Sequence, residues 1–134
     1  MTKKRIEVVG AAIIQGNKIL AMQRGEQMTL PGMWEFPGGK IEAGETEQEA
    51  LIREIKEELN VDITILDYIN EASYDYDFGT VILKVYTAKI IAGELSLEEH
   101  KDGKWLKADQ LLDMDWAPVD IPAAEALITY MNDL

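Results

Sequence analysis

Residues 6–14 run almost unbroken through apolar, β-branched-rich positions, which predicts a strand buried on both faces. Gly16-Asn17 then reads as a hairpin-type turn into a second strand near 18–23. The stretch from Gly25 to Pro37 is rich in Gly and Pro and reads as loop, with Trp34 and Phe36 anchoring its end. A helix is expected over 46–58. Alternation at Ile63, Ile65, Ala72, Tyr74, Tyr76 and Phe78 marks strand over 63–78, a turn is placed at Gly79, and 80–91 is a strong strand. Gly93-Glu94 and an acidic loop lead to a short strand around Trp105 and a short helix near 108–112. A last helix starts at Pro122, with Ala124, Leu127, Ile128 and Met131 on one face. No linker or repeat interrupts the chain, so 1–134 reads as one α/β domain, a mixed sheet covered by helices on both sides.

Composition narrows the chemistry. The apolar content of 47% supports a packed core, and the absence of Cys excludes disulfides, thiolate metal sites and a Cys nucleophile. The basic start Met1-Thr2-Lys3-Lys4-Arg5 is followed by no signal-like apolar run, and no stretch approaches the roughly 18 apolar residues that span a bilayer. The expectation is a soluble cytoplasmic protein with no membrane partner. A net charge of −12 argues against nucleic acid polymers as partners, because such binding draws on Lys and Arg. A small polyphosphate remains open if divalent cations invert the local sign. Solubility alone accounts for the acidity equally well.

The central helix carries the chemistry. Thr46 with Glu49 forms a capping box that fixes its start. At about 100° per residue, Glu54, Glu57 and Glu58 share an arc of roughly 100°, while Leu51, Ile52, Ile55 and Leu59 occupy the neighbouring arc and face the core. The carboxylates thus line the edge of the buried face, where small Ala50 leaves space. Like charges at these spacings repel, more so beside a core, and a hard divalent cation such as Mg²⁺ or Mn²⁺ turns that cost into a binding site. Arg53 stands one turn from Glu57 and can orient it. Spacing alone serves a solvated acidic face as well as a metal site. The approach to the helix tips the balance: Gly38 and Gly39 admit a ligand close to the backbone, Lys40 offers phosphate a cation, and Gly44 allows a tight entry.

Together these residues resemble the Nudix box: Gly39, Glu45, Arg53-Glu54, Ile55, Glu57-Glu58, Asn60 and Val61 stand at the family's spacing. One position departs, Asn60 standing where the family has Gly, and Asn is the next most tolerant of the left-handed backbone required after a helix. The run Trp34 to Lys40 resembles the MutT-type branch, which hydrolyses nucleoside triphosphates to monophosphate and pyrophosphate. Ala117 to Pro122 is similar to the matching segment of bacterial CTP pyrophosphohydrolase-like and MutT-like members. The resemblance implies the α/β/α Nudix fold, a small-molecule nucleotide substrate, and Mg²⁺ as cofactor with Mn²⁺ as a substitute. It implies metal ligation by Glu54, Glu57, Glu58, Glu99 and the Gly38 carbonyl, with Glu54, Glu57, Glu99 and Arg53 catalytic. Glu99 would be the general base, and adjacent Glu98 is the alternative. Arg24 and Lys40 would meet phosphates, while Asp120, Glu35 and Phe36 (or Trp34, by stacking) would meet the base. His100, the only His, reads as an exposed bystander.

Several of these residues have plainer readings. Arg24 equally fits a surface charge at a strand end. Asp120 equally fits a carboxylate favouring the positive start of the last helix beside Pro122. As a base reader, Asp120 suits an exocyclic amine such as N4 of cytosine, or an altered purine edge; the oxidised-guanine specialist of the family has Asn there. The expectation is therefore CTP- or dCTP-type substrates or a broader pool-sanitising role. ADP-ribose members carry a Pro beyond the box, and none lies between Pro37 and Pro118. Tyr76 keeps dinucleoside polyphosphates open. A non-catalytic nucleotide-binding module would be expected to lose box carboxylates, and all are present. A mere metal-binding protein would not need Gly38, Gly39, Lys40 or Arg53. The sequence sets no oligomeric state.

Overall fold

The computed structural model describes residues 4–96 and 100–134. Strands β1 (Arg5–Gln15) and β2 (Lys18–Gln23) form the expected hairpin, with Gly16 taking the positive φ of 63° that its turn requires. The two strands pair only at Ile14↔Ile19 and Gln15↔Lys18 and then diverge. The chain from 34 to 40 enters between them. β3 (Trp34–Glu35) pairs with β2, the Ala11 N–H donates to the Pro37 carbonyl, and β4 (Gly38–Lys40) runs antiparallel to Val8–Gly10 of β1. Pro37-Gly38-Gly39-Lys40 reads in the sequence as a rigid turn, but Gly38–Lys40 forms a short strand whose two glycines let it lie close against β1.

β5 (Val61–Tyr76) and β6 (Gly79–Gly93) form a long antiparallel pair, and β6 joins β1 in parallel from Arg5↔Thr80 to Ile13↔Ala88. The turn between them falls at Asp77-Phe78, so Gly79 opens β6 instead of making the bend. β7 (Asp102–Leu106) covers the free side of β2. The sheet is mixed, as expected, with seven strands among the described residues.

Period-two alternation sorts side chains to two faces. Ala12, Ile19, Ala21, Leu83 and Val85 lie on one, and Val9, Ala11, Ile13, Leu20, Met22 and Ala88 on the other. Helix α1 (Glu47–Leu59) covers the second face with Ala50, Leu51, Ile55 and Leu59, and α2 (Ile121–Asn132) covers the first with Ala123, Ala124 and Leu127. Burying each of these Leu or Ile side chains is worth roughly 1.5–3 kcal/mol, which fixes α1 rigidly on the sheet. Ile52, expected in the core, is 42% exposed. The stripe that meets the sheet is narrower than the apolar arc of the sequence, and Ile52 falls off its side. The expected helix near 108–112 is a 3-10 helix over Ala108–Asp113, and a second such turn, Pro118–Asp120, leads into α2. Among the described residues no helix is long and apolar enough to cross a membrane.

Candidate active site

Helix α1 starts and stops where local chemistry dictates. Thr46 Oγ1 accepts the Glu49 N–H at 3.1 Å and Glu49 Oε1 accepts the Thr46 N–H at 2.8 Å, completing the capping box. Asn60 ends the helix in the left-handed conformation, φ 60° and ψ 33°, so the departure from Gly costs no distortion. Glu47 in the first turn accepts from Lys84 Nζ and the Tyr86 hydroxyl, both at 2.5 Å, which ties this end of α1 to β6.

Arg53 organises the box. Its guanidinium donates to both oxygens of Glu45, at 2.7 and 2.9 Å, to Glu54 at 2.9 Å, to Glu57 at 3.3 Å and to the Lys40 carbonyl at 3.2 Å. The expected Arg53–Glu57 pairing exists, but the two-pronged bond to Glu45 dominates, and it holds the Glu45 carboxyl down at about 2. Glu45 precedes the N-cap, so helical spacing gave no hint of this bond. Glu54 and Glu58 sit at the edge of the buried face, with side chains 18% and 13% exposed, whereas Glu57 is turned outward at 62%. Burial pushes the Glu54 carboxyl up, against the downward pull of Arg53.

Both glycines of β4 are required by what stands over them. A Cβ on Gly39 would fall on the carboxylate of Glu54, and one on Gly38 would fall on the Val9 carbonyl. Gly39 is therefore a cradle in which an acidic group rests on bare backbone. Carboxylate and carbonyl oxygens of this kind are the donor set that hard divalent cations take. Among the described residues no three acidic or His side chains already converge as a ligand cluster. Arg53 instead bridges Glu54 and Glu57. Glu99 and Glu98, expected to complete the set, lie outside the described residues.

Beside the box a cleft of about 430 Å³ opens over the α2 face of the sheet, lined by Arg24, Glu35, Phe36, Gly38, Gly39, Lys40, Glu58, Tyr76, His100 and Asp120 among others. The residues expected at the base end and those expected at the phosphate end thus share one cavity. Asp120 is buried at 4% exposure and accepts the Phe36 N–H at 3.0 Å. It stands at the N-cap of α2 but makes no capping bond, so support of the helix does not explain it. Burial, with the charge of Glu35 adding, pushes its carboxyl well above the usual carboxylate range. Phe36 stacks on Trp116 at 4.6 Å and also lines the cleft, while Trp34 belongs to the core. Tyr76 accepts the Val119 N–H at 3.0 Å, which commits its hydroxyl to shaping the wall.

Arg24 is held by three bonds, to the Thr29 carbonyl at 2.5 Å, Thr29 Oγ1 at 2.8 Å and Glu35 at 2.5 Å. It is a strut between Thr29 and Glu35 in the wall of the cleft, more than a surface charge. His100 corrects the sequence expectation outright. Its side chain is only 2% exposed and bonds Glu35 through Nε2 at 2.8 Å. Beside it the Lys101 N–H donates to the Gln23 carbonyl, a contact distant in sequence that no local pattern announces.

Asp120→Asn separates the two costs of this arrangement. A raised carboxyl pKa in the folded state means that stability falls as pH rises from the unfolded value of about 4 through the folded one. Asn keeps an oxygen for the Phe36 N–H without the buried charge. The variant is expected to melt roughly 3–5 °C higher at pH 7.5, a gain of about 1 kcal/mol, and to lose that advantage at pH 4. Thermal melting across pH checks this.

Comparison with known proteins agrees with the geometry. The family model described as NUDIX domain matches residues 4–127. The chain is 40% identical over 114 residues to a Mycobacterium tuberculosis protein named putative 8-oxo-dGTP diphosphatase 2, covering 84% of this chain and 81% of that one. It is 36% identical over 125 residues to the CTP pyrophosphohydrolase of Escherichia coli K12, covering 93% of each. The solution structure of the E. coli ORF135 protein superposes with a TM-score of 0.84 at 35% identity, covering 95% of this chain and 91% of that one. That of the MutT protein of methicillin-resistant Staphylococcus aureus 252 superposes at 0.79 with 48% identity, covering 96% and 99%. The chain belongs to the Nudix hydrolase family and is of the MutT type. The M. tuberculosis and E. coli K12 relatives are named for hydrolysis of 8-oxo-dGTP and CTP, and members of the family generally use divalent metal ions.

Proposed function

We propose that the protein hydrolyses a nucleoside or deoxynucleoside triphosphate to the monophosphate and pyrophosphate, with Mg²⁺ as the working ion and Mn²⁺ as a substitute. The observation that carries this reading is one cleft lined both by Asp120, Glu35 and Phe36 and by Gly38, Gly39, Lys40 and Glu58. Glu54, Glu57, Glu58 and Glu99, with the Gly38 carbonyl, would hold the metal. When bound, divalent ions neutralise the phosphate oxygens and make water a better nucleophile at neutral pH. Lys40 offers its ammonium to the phosphates, and Arg24 offers the two N–H donors that its three bonds leave over. Arg53 holds Glu54 and Glu57 in place, and Glu99 takes the proton from the attacking water. Attack at the β-phosphorus, with the nucleoside monophosphate leaving, gives the stated products.

Base choice follows from Asp120. One oxygen of its carboxyl takes the Phe36 N–H, and the other can accept from an exocyclic amine such as N4 of cytosine, so a cytosine nucleotide is the favoured substrate. An altered purine edge that presents such an amine is next. Pool sanitation in the cytoplasm is the role that fits either. Pyrophosphate release with Mg²⁺ across CTP, dCTP, 5-methyl-dCTP, 8-oxo-dGTP, ADP-ribose and a dinucleoside tetraphosphate tests this directly. Cytosine triphosphates are expected to lead. Turnover of ADP-ribose or the dinucleoside tetraphosphate alone would overturn the proposal.

A further inference from the structure

His100 lines the cleft between Glu35 and Glu58. Its Nε2 bonds Glu35 Oε2 at 2.8 Å, and Arg24 holds the other oxygen of Glu35 at 2.5 Å. Its Nδ1 lies 3.8 Å from Glu58 Oε2, on the last turn of α1. Nδ1 is fully buried and makes no hydrogen bond among the described residues. The backbone beside it is fixed too, since the Lys101 N–H donates to Gln23 of β2 at 2.9 Å. A chain of contacts therefore runs from Thr29 through Arg24, Glu35 and His100 to Glu58.

We infer that His100 is a positioning residue: Glu35 orients its imidazole, and the imidazole limits where the Glu58 carboxylate can turn. The inference rests on the reading of Glu58 as a metal ligand given above. Glu58 has three rotatable bonds, and at 3.8 Å the ring is past hydrogen-bond reach yet in its way. Groups that orient a metal ligand typically govern affinity by 10–100-fold. Glu35, although expected to meet the base, then contributes to metal binding through His100.

The test is Mn²⁺ binding to the full chain without nucleotide, followed by titration calorimetry or the EPR signal of free Mn²⁺, with kcat and KM measured alongside. His100→Leu fills similar space but cannot bond Glu35, while His100→Gln retains a donor that can reach it. His100→Leu and Glu35→Gln are each expected to weaken Mn²⁺ by roughly 10–100-fold. The double variant Glu35→Gln/His100→Leu should lose no more than the worse single, since the two act in series. His100→Gln should recover most of the loss, with kcat following Mn²⁺ affinity. A space-filling role alone predicts that His100→Leu binds Mn²⁺ like the parent, and that result overturns the inference. So does a Glu35→Gln that raises nucleotide KM and leaves Mn²⁺ binding unchanged. If the parent chain releases pyrophosphate while either result holds, the inference falls and the proposed function stands. Should His100→Leu not fold, as judged by its melting curve, the Glu35→Gln and His100→Gln arms decide alone.

Discussion

Glu54→Gln and Glu57→Gln are each expected to lower kcat by roughly 10³-fold, the scale on which removal of one electrostatic element acts in a catalytic site, with the fold intact. The two variants reach that result from different environments. Glu57 is 62% exposed and accepts from Arg53 at 3.3 Å. Its amide variant should therefore match the parent in stability within about 0.5 kcal/mol. Glu54 is mostly buried, and burial outweighs Arg53 in pushing its carboxyl up. An acid with a raised folded pKa makes stability fall as pH rises through that pKa, so the neutral amide removes this dependence. Glu54→Gln should melt no lower than the parent at pH 7.5 and show a flatter profile towards acid. Arg53 stays in place in both variants, because its strongest bonds go to Glu45. Pyrophosphate release and melting curves, run on the same samples, separate the two effects. Residual turnover above a tenth of the parent in either variant would remove that carboxylate from the chemistry.

The residues behind that prediction were legible in the sequence for a physical reason: the box is local. Thr46 and Glu49 bond across three residues, and Asn60 answers a backbone need at one position. Such short-range constraints survive in the order of the chain. The strand over 6–14 was legible too, because a nearly unbroken apolar run suits a strand buried on both faces of the sheet. Contacts that join distant segments were not. Glu45 finds Arg53 across a helix entry, and His100 is buried against Glu35, 65 residues away in the chain. Tyr76 reaches Val119 from the far end of β5. Ile52 shows the converse, an apolar residue of the right period left outside the stripe of α1 that meets the sheet. Asp120 lies between these cases: its place near the last helix was evident, but its burial against Phe36 came only with the fold.

Gly38 and Gly39 are adjacent, share one strand, and are expected to fail in opposite ways when each is changed to Ala. A Cβ on Gly38 meets the Val9 carbonyl and the Gly10 Cα, which are backbone atoms of β1 and cannot rotate aside. Relief requires β4 to lift from β1 at the Gly10↔Gly38 pairing, at a cost of about 2–3 kcal/mol. Gly38→Ala should melt roughly 10 °C lower. The atoms nearest a Cβ on Gly39 are those of the Glu54 carboxylate, the far end of a flexible side chain. The side chain can swing away while the strand stays, so Gly39→Ala should melt within about 2 °C of the parent. What moves is the carboxylate, out of its cradle and off Arg53, and a displacement near 1 Å in such a site costs on the order of 10²-fold in rate. Melting curves and kcat for the two variants form a crossed pair, one losing stability first and the other losing turnover first. Equal stability losses in both would mean that Gly39 serves the strand alone, and that the acidic group above it is held by Arg53 without need of the cradle.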